Sequence, residues 1–362
     1  MSVGRRKAGL DLIRVVAIGL VLVHHFRHLP GAPEGVRWFG LRADVGVDLF
    51  FVLSGWLIGG QLWRERARTG RVDARRFWTR RWWRTVPAYL IVLAMLCLLG
   101  RVRASELPAM LVFVQNYAVP QAWLSSWSLC IEEQFYLLLP VTVGLGAWVA
   151  KRSSRLAFAV AVACVVASPL GRWLSFARMS AGTYDQFIRD YYVVTHLRLE
   201  GLAMGVSAAW LHVHRGVRWP IGRRASALAV PGVVLIALVW LPMFAGHTSA
   251  REERMLFFHA VSGYAMVAAG TALLLPWASG WRASEVLARP LAWCADLAYG
   301  LYLTHELARD GMLWLFDGRT MPFGWWLAAS VAASLGAAWL LRTVVERPMM
   351  RWRDARGSSG VR

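Results

Sequence analysis

Residues 10–26 read LDLIRVVAIGLVLVHHF, an apolar run long enough to cross a hydrocarbon core about 30 Å thick as a helix, yet holding an arginine and two adjacent histidines. Arg5, Arg6 and Lys7 precede it as they would a secretory leader, but no small-residue cleavage site follows His24 and His25, so it is expected to stay in place as a first span. Similar runs recur along all 362 residues, which are 57% hydrophobic and 17% charged. That balance is too apolar for a water-soluble domain of this length. The chain is therefore predicted to be an all-α, polytopic integral membrane protein.

Working outward from the first run, spans are expected at 8–28, 44–64, 82–100, 130–150, 156–175, 194–213, 226–246, 257–277, 291–315 and 323–343, about ten in all. A leftover apolar piece at 107–114 is too short to cross and should pack at an interface or re-enter. The formal charge of +20 sits in the joints between runs and not along one soluble face, which argues against nucleic acid as a partner. With the N-terminus cytoplasmic and an even number of spans, most of the 41 Lys and Arg fall on the inner side, so both termini are expected in the cytoplasm. Residues 1–350 then form one transmembrane domain and 351–362 a cytoplasmic tail, expected to be disordered. Trp38, Trp82, Trp83, Trp123, Trp127, Tyr191 and Tyr192 lie near expected span ends and read mostly as interfacial anchors. Cys97, Cys130, Cys164 and Cys294 lack C-x-x-C spacing and paired histidines, so neither a disulfide framework nor a metal site is expected.

An ionisable group at membrane depth costs several kcal/mol unless it faces a cavity or a partner, which makes each one a functional candidate. Arg14 and His25 are eleven residues apart. At about 100° per residue both face one way, separated by roughly 16 Å along the axis. They read as a pair facing one cavity, or alternatively as a snorkelling arginine and an interfacial histidine. In GVDLFFVLSGWLIGGQL (46–62), Asp48 should lie at the depth of His25 and could support it as a general base; a helix-dipole charge is the other reading. Ser54 and Gly55 read as a close-packing pair. In RRFWTRRWWRTVPAYL (75–90), Arg81 and Arg84 share a helical face and could clamp phosphate oxygens, although any inner loop can be Arg-rich. Glu132 and Glu133 open the fourth span as candidate catalytic acids or as dipole-favoured N-terminal charges. Arg198, Glu200, His305, Tyr136 and Trp127 complete the candidates, as acceptor-binding or pore-lining groups or as packing elements.

Taken together, these segments resemble the membrane-bound acyltransferase-3 family of O-acyltransferases. The resemblance rests on Arg14 and His25, GVDLFFVLSGWLI, the R-x-x-R of Arg81 and Arg84 followed by Pro87, WSLCIEEQFYLLLP, the run from Arg198, YGLYLTHE at 299–306, and Glu346–Pro348, in family order across residues 9–350. It implies a ten-span enzyme of the inner (cytoplasmic) membrane. Such an enzyme takes an acyl group, commonly acetyl, from acyl-CoA as co-substrate and places it on a hydroxyl of a carbohydrate or lipid-linked acceptor. It further implies that His25 is the catalytic histidine, with Arg14 its partner, and that Arg81 and Arg84 face the CoA phosphates. Many relatives carry a fused extracytoplasmic hydrolase-like domain; here the chain stops after the tenth span and is expected to finish the transfer itself or to hand the acyl group to a separate extracytoplasmic partner. Thr304 departs from the family, which often has Trp before this histidine, and weakens the case for His305.

With acyl-CoA entering from the cytoplasm and His25 toward the outer half, a polar path through the bundle is expected. His25, supported by Asp48 or another acid, would act as general base; an acyl-histidine intermediate is the alternative. Acylation of a small natural product such as a macrolide would suit the same machinery. A transporter or flippase of lipid-linked sugars would also place charges at membrane depth, but two similar halves with interrupted helices are missing from the sequence.

Overall fold

The computed structural model describes residues 7–118, 123–149, 155–176, 188–214, 219–239 and 258–358. Among them there are helices and no strands, as a lipid solvent demands, because a helix pairs its backbone groups internally. The principal helices are α1 (Ala8–Phe26), α2 (Glu34–Leu41), α3 (Gly46–Thr69), α4 (Ala74–Leu98), α5 (Leu107–Leu111), α6 (Trp127–Val149), α7 (Arg155–Phe176), α8 (Glu200–His214), α9 (Gly222–Ala237), α10 (Tyr264–Gly280), α11 (Glu285–Leu315), α12 (Phe323–Leu341) and α13 (Arg347–Ser358).

The expected spans are largely helical in their described parts, although 194–213 opens on a 3-10 turn at Thr195–Leu197 and becomes an α-helix only from Glu200, and seven helices among the described residues are long and apolar enough to cross a membrane. The others fall short for identifiable reasons. The described parts of α8 and α9 have 15 and 16 residues, while α11, at 31 residues, is interrupted by Asp296, His305, Glu306, Arg309 and Asp310. The leftover piece at 107–114 forms the short α5 and a turn in which Phe113 takes a positive φ of 57°; its carbonyl accepts from the Gln134 amide at 2.7 Å.

α3 is the most enclosed of the seven and α7 the least, which puts α3 at the centre and α7 at the lipid-facing rim. α3 and α8 touch backbone to backbone: a Cβ on Gly55 would collide with the Leu202 carbonyl, and one on Gly205 with the Val52 carbonyl. Small residues permit this contact, and dispersion then replaces the hydrophobic drive that lipid does not supply. The Ser54 hydroxyl, instead of packing, donates to Glu132 at 2.6 Å.

Two expectations need correction. Trp123, Trp127, Tyr191 and Tyr192 are buried core residues and not interfacial anchors: Trp123 stacks on Tyr89 and Trp127 packs against Phe51 and Tyr192. Trp82, by contrast, is exposed. Residues 351–358 of the expected disordered tail are helical in α13, because Trp352 packs on Trp83 and Arg353 donates to the Arg80 carbonyl at 3.1 Å. Residues 359–362 lie outside the described residues.

Candidate active site

The C-terminal end of α1 packs against the middle of α11, and that contact brings His25 onto Glu306. Nδ1 of His25 lies 2.9 Å from Oε1 of Glu306, with both side chains about one-quarter exposed (22% and 25%). The other carboxylate oxygen accepts from the Ser125 hydroxyl at 2.7 Å. A carboxylate fixed at one oxygen by Ser125 holds the imidazole at the other, so Nδ1 carries a proton toward Glu306. Arg309 donates to the His25 carbonyl at 2.9 Å and pairs with Asp310 at 2.7 Å. His24 is turned away, its Nδ1 bonded to the Gly40 carbonyl at 2.9 Å.

The expected partner, Asp48, is elsewhere. Its two oxygens accept from Arg198 at 3.0 and 3.2 Å, and the Arg198 guanidinium lies over the Tyr264 ring at 3.5 Å, with Tyr192 and Trp127 at 5.1 and 5.2 Å. Glu200 pairs with Arg172 at 2.7 Å, both wholly buried. The two ion pairs tie α3, α7 and α8 together, and paired charges with aromatic faces around them are how ionised groups survive at this depth. Trp127 and Arg198 are thus parts of one buried cluster.

From the His25–Glu306 pair a line of polar groups runs down α11 and across α6 and α4. Tyr302, one turn before Glu306, donates to the Ser125 carbonyl at 2.7 Å and receives the Ser128 hydroxyl. Tyr299 donates to the Thr85 carbonyl at 2.9 Å, and the Thr85 hydroxyl donates to Glu133 at 3.1 Å. Glu132 faces Arg81 at 3.7 Å, and that guanidinium lies over the Tyr136 ring at 4.1 Å. Arg84, on the same helix, lies within electrostatic range of Arg81, Arg14, Glu346 and Asp296. Asp296 accepts from Arg342 at 2.6 Å, where α12 and α13 meet through a π-helical turn at Arg342–Glu346. Arg14 itself pairs with Asp11 at 3.0 Å.

The polar residues of α11 explain this seam. Asp296, Tyr299, Tyr302 and Glu306 recur at spacings of three, three and four, which sets them along one face. Of the sequence candidates, then, Arg84 lies within electrostatic range of Arg81 and Arg14 at one end, Glu132, Glu133 and Tyr136 lie along the way, and His25 with His305 stands at the other. Asp48, Arg198, Glu200 and Trp127 belong to the neighbouring cluster. Glu306, Ser125, Tyr302 and Arg172 went unremarked in the sequence, although Glu306 ends the YGLYLTHE motif and its charge in an apolar run was a readable signal.

Comparison with known proteins bears on what such a site is for. A family model described as an acyltransferase domain, acyltransferase-3, matches residues 7–343. YrhL of Bacillus subtilis (strain 168), provisionally named a peptidoglycan O-acetyltransferase, is 26% identical over 329 residues, covering 82% of this chain and 48% of YrhL. The peptidoglycan O-acetyltransferase OatA of Listeria monocytogenes is 24% identical over 370 residues, covering 94% of this chain and 55% of OatA. The O-acetyltransferase OatA of Staphylococcus aureus (strain NCTC 8325 / PS 47) is 31% identical over 160 residues, covering 37% of this chain and 24% of that protein. The chain thus spans about half the length of the first two of these relatives. No solved structure matches it.

Proposed function

The chain belongs to the acyltransferase-3 family, and from that premise we propose that it is a membrane O-acyltransferase moving an acetyl group from acetyl-CoA to a hydroxyl of a cell-envelope carbohydrate, with peptidoglycan sugars as the acceptor class. The observation that carries this reading is the contact of His25 with Glu306, 2.9 Å apart. The acceptor class rests on the names of YrhL and Listeria OatA.

In the reaction, Nε2 of His25 removes the acceptor hydroxyl's proton as that oxygen attacks the thioester carbonyl. The new C–O bond forms, the C–S bond breaks, and the CoA thiolate leaves and takes up the proton. Glu306 holds the tautomer and offsets the imidazolium that forms, and Ser125 holds Glu306. Arg84, within electrostatic range of Arg81 and Arg14, suits the phosphates of CoA, because like charges near one another are relieved by a bridging polyanion. Arg81 is partly committed to Glu132, which leaves Arg84 as the more available donor. In the proposed topology both termini and these arginines are cytoplasmic, His25 lies toward the outer half, and the membrane is the inner (cytoplasmic) one. A separate extracytoplasmic protein can complete delivery to the acceptor.

Purified protein in detergent tests this. Free thiol released from acetyl-CoA in the presence of muropeptide acceptor is expected from the native chain and not from His25→Ala. A chain that binds labelled lipid-linked sugar but releases no thiol would instead be a transporter.

A further inference from the structure

His305 stands beside the proposed base in an arrangement that the acyl transfer does not use. Its Nδ1 faces the carbonyls of Leu301 and Tyr302 at 3.0 and 2.9 Å. Both are acceptors, so Nδ1 carries the proton and Nε2 is left as a lone pair. That Nε2 is buried and has no hydrogen-bond partner among the described residues, and the His305 side chain is wholly enclosed. A buried polar atom without a partner is a standing cost of about 1–3 kcal/mol and calls for a water, an ion or a ligand.

The groups nearest to it point to which. The His25 and His305 rings meet edge to face with centroids 4.7 Å apart, and one ligand-capable atom from each of His25, His305 and Glu306 lies within 4.8 Å of the others. Two imidazoles and one carboxylate are a donor set that borderline divalent ions such as zinc favour, with a fourth position left open. The surroundings match those of a ligand set. Metal-bound histidines give their second ring nitrogen to a backbone carbonyl, as His305 does, and metal-bound carboxylates are themselves hydrogen-bonded, as Glu306 is by Ser125. His25 and Glu306, each about one-quarter exposed, give an entry that His305 alone lacks. The nearby Arg309 is drawn to Asp310, whose carboxylate Arg101 also engages.

We infer that His25, His305 and Glu306 form a site for a divalent transition-metal ion of the zinc class. The binding itself stands independently of the acyltransferase reading. Its consequence rests on that reading: an ion that engages His25 and Glu306 takes the groups needed for proton removal, so zinc inhibits transfer.

The test is titration of the purified full-length protein with Co²⁺, followed by its visible ligand-field absorption, with Zn²⁺ added afterwards to displace it. The native chain is expected to bind one equivalent with a visible band that Zn²⁺ abolishes. His305→Ala and the near-isosteric Glu306→Gln should each weaken binding roughly tenfold or more, while His212→Ala, on a distant helix, should not. No saturable band in the native protein, or a band of equal affinity in both site variants, overturns the inference. Because the readout is absorption, it holds or fails whether or not acetyl transfer is observed.

Discussion

At the scale of single residues, the weight of the account falls on Glu306. Glu306→Gln preserves size and one hydrogen bond but cannot offset an imidazolium, so acetyl transfer is expected to fall roughly 10²-fold in kcat with little change in KM for acetyl-CoA; steady-state thiol release measures it. Asp48 has a different task. Asp48→Ala leaves Arg198 charged and unpaired where both side chains are at most 2% exposed, a loss of about 3–5 kcal/mol of stability. Asp48→Asn combined with Arg198→Met should recover part of it, and thermal unfolding in detergent compares the two. The sequence made the charged positions legible, because an ion in an apolar run is conspicuous. It did not make their pairing legible. Asp48 was matched to His25 because a short loop joins their helices and sets them at similar depth, whereas Glu306 reaches His25 from a helix some 280 residues later. Depth follows from counting along one helix; neighbours across helices depend on which faces pack.

At the scale of elements, hydrophobic run length located the helices well, since a spanning helix declares itself over many residues. α11 escapes the hydropathy criterion for the same reason that it matters: its face of Asp296, Tyr299, Tyr302 and Glu306 lowers its apolar character and lines the polar seam. The contact of α3 with α8 was only half visible, in Gly55, because its counterpart Gly205 becomes meaningful once the two backbones are seen to touch. Gly205→Val inserts a branched side chain against the Val52 carbonyl and is expected to destabilise the fold by about 1–3 kcal/mol, read as a lowered melting temperature. The same substitution at Gly144, where a Cβ meets no neighbouring atom, should leave the melting temperature nearly unchanged. The aromatic residues near span ends misled because bulk suits a buried core as well as an interface, and position along the chain does not separate the two.

At the scale of the whole molecule, the proposed topology makes the two ends of the seam face opposite compartments. Cysteine introduced at Glu34, in the exposed joint between α1 and α3, should react with a membrane-impermeant maleimide in intact cells. Cysteine at Arg71, between α3 and α4, should react only after lysis, both in a background without the four native cysteines. Reversed labelling would invert the proposed sidedness. The central claim, that His25 held by Glu306 moves an acyl group across this bundle, is tested most directly by transfer of radiolabelled acetyl from acetyl-CoA to cell-wall glycan in membrane vesicles, comparing the native chain with His25→Ala at matched expression. Loss of a general base predicts labelling reduced by roughly 10²–10⁴ in the variant; equal labelling by the two proteins would contradict the account.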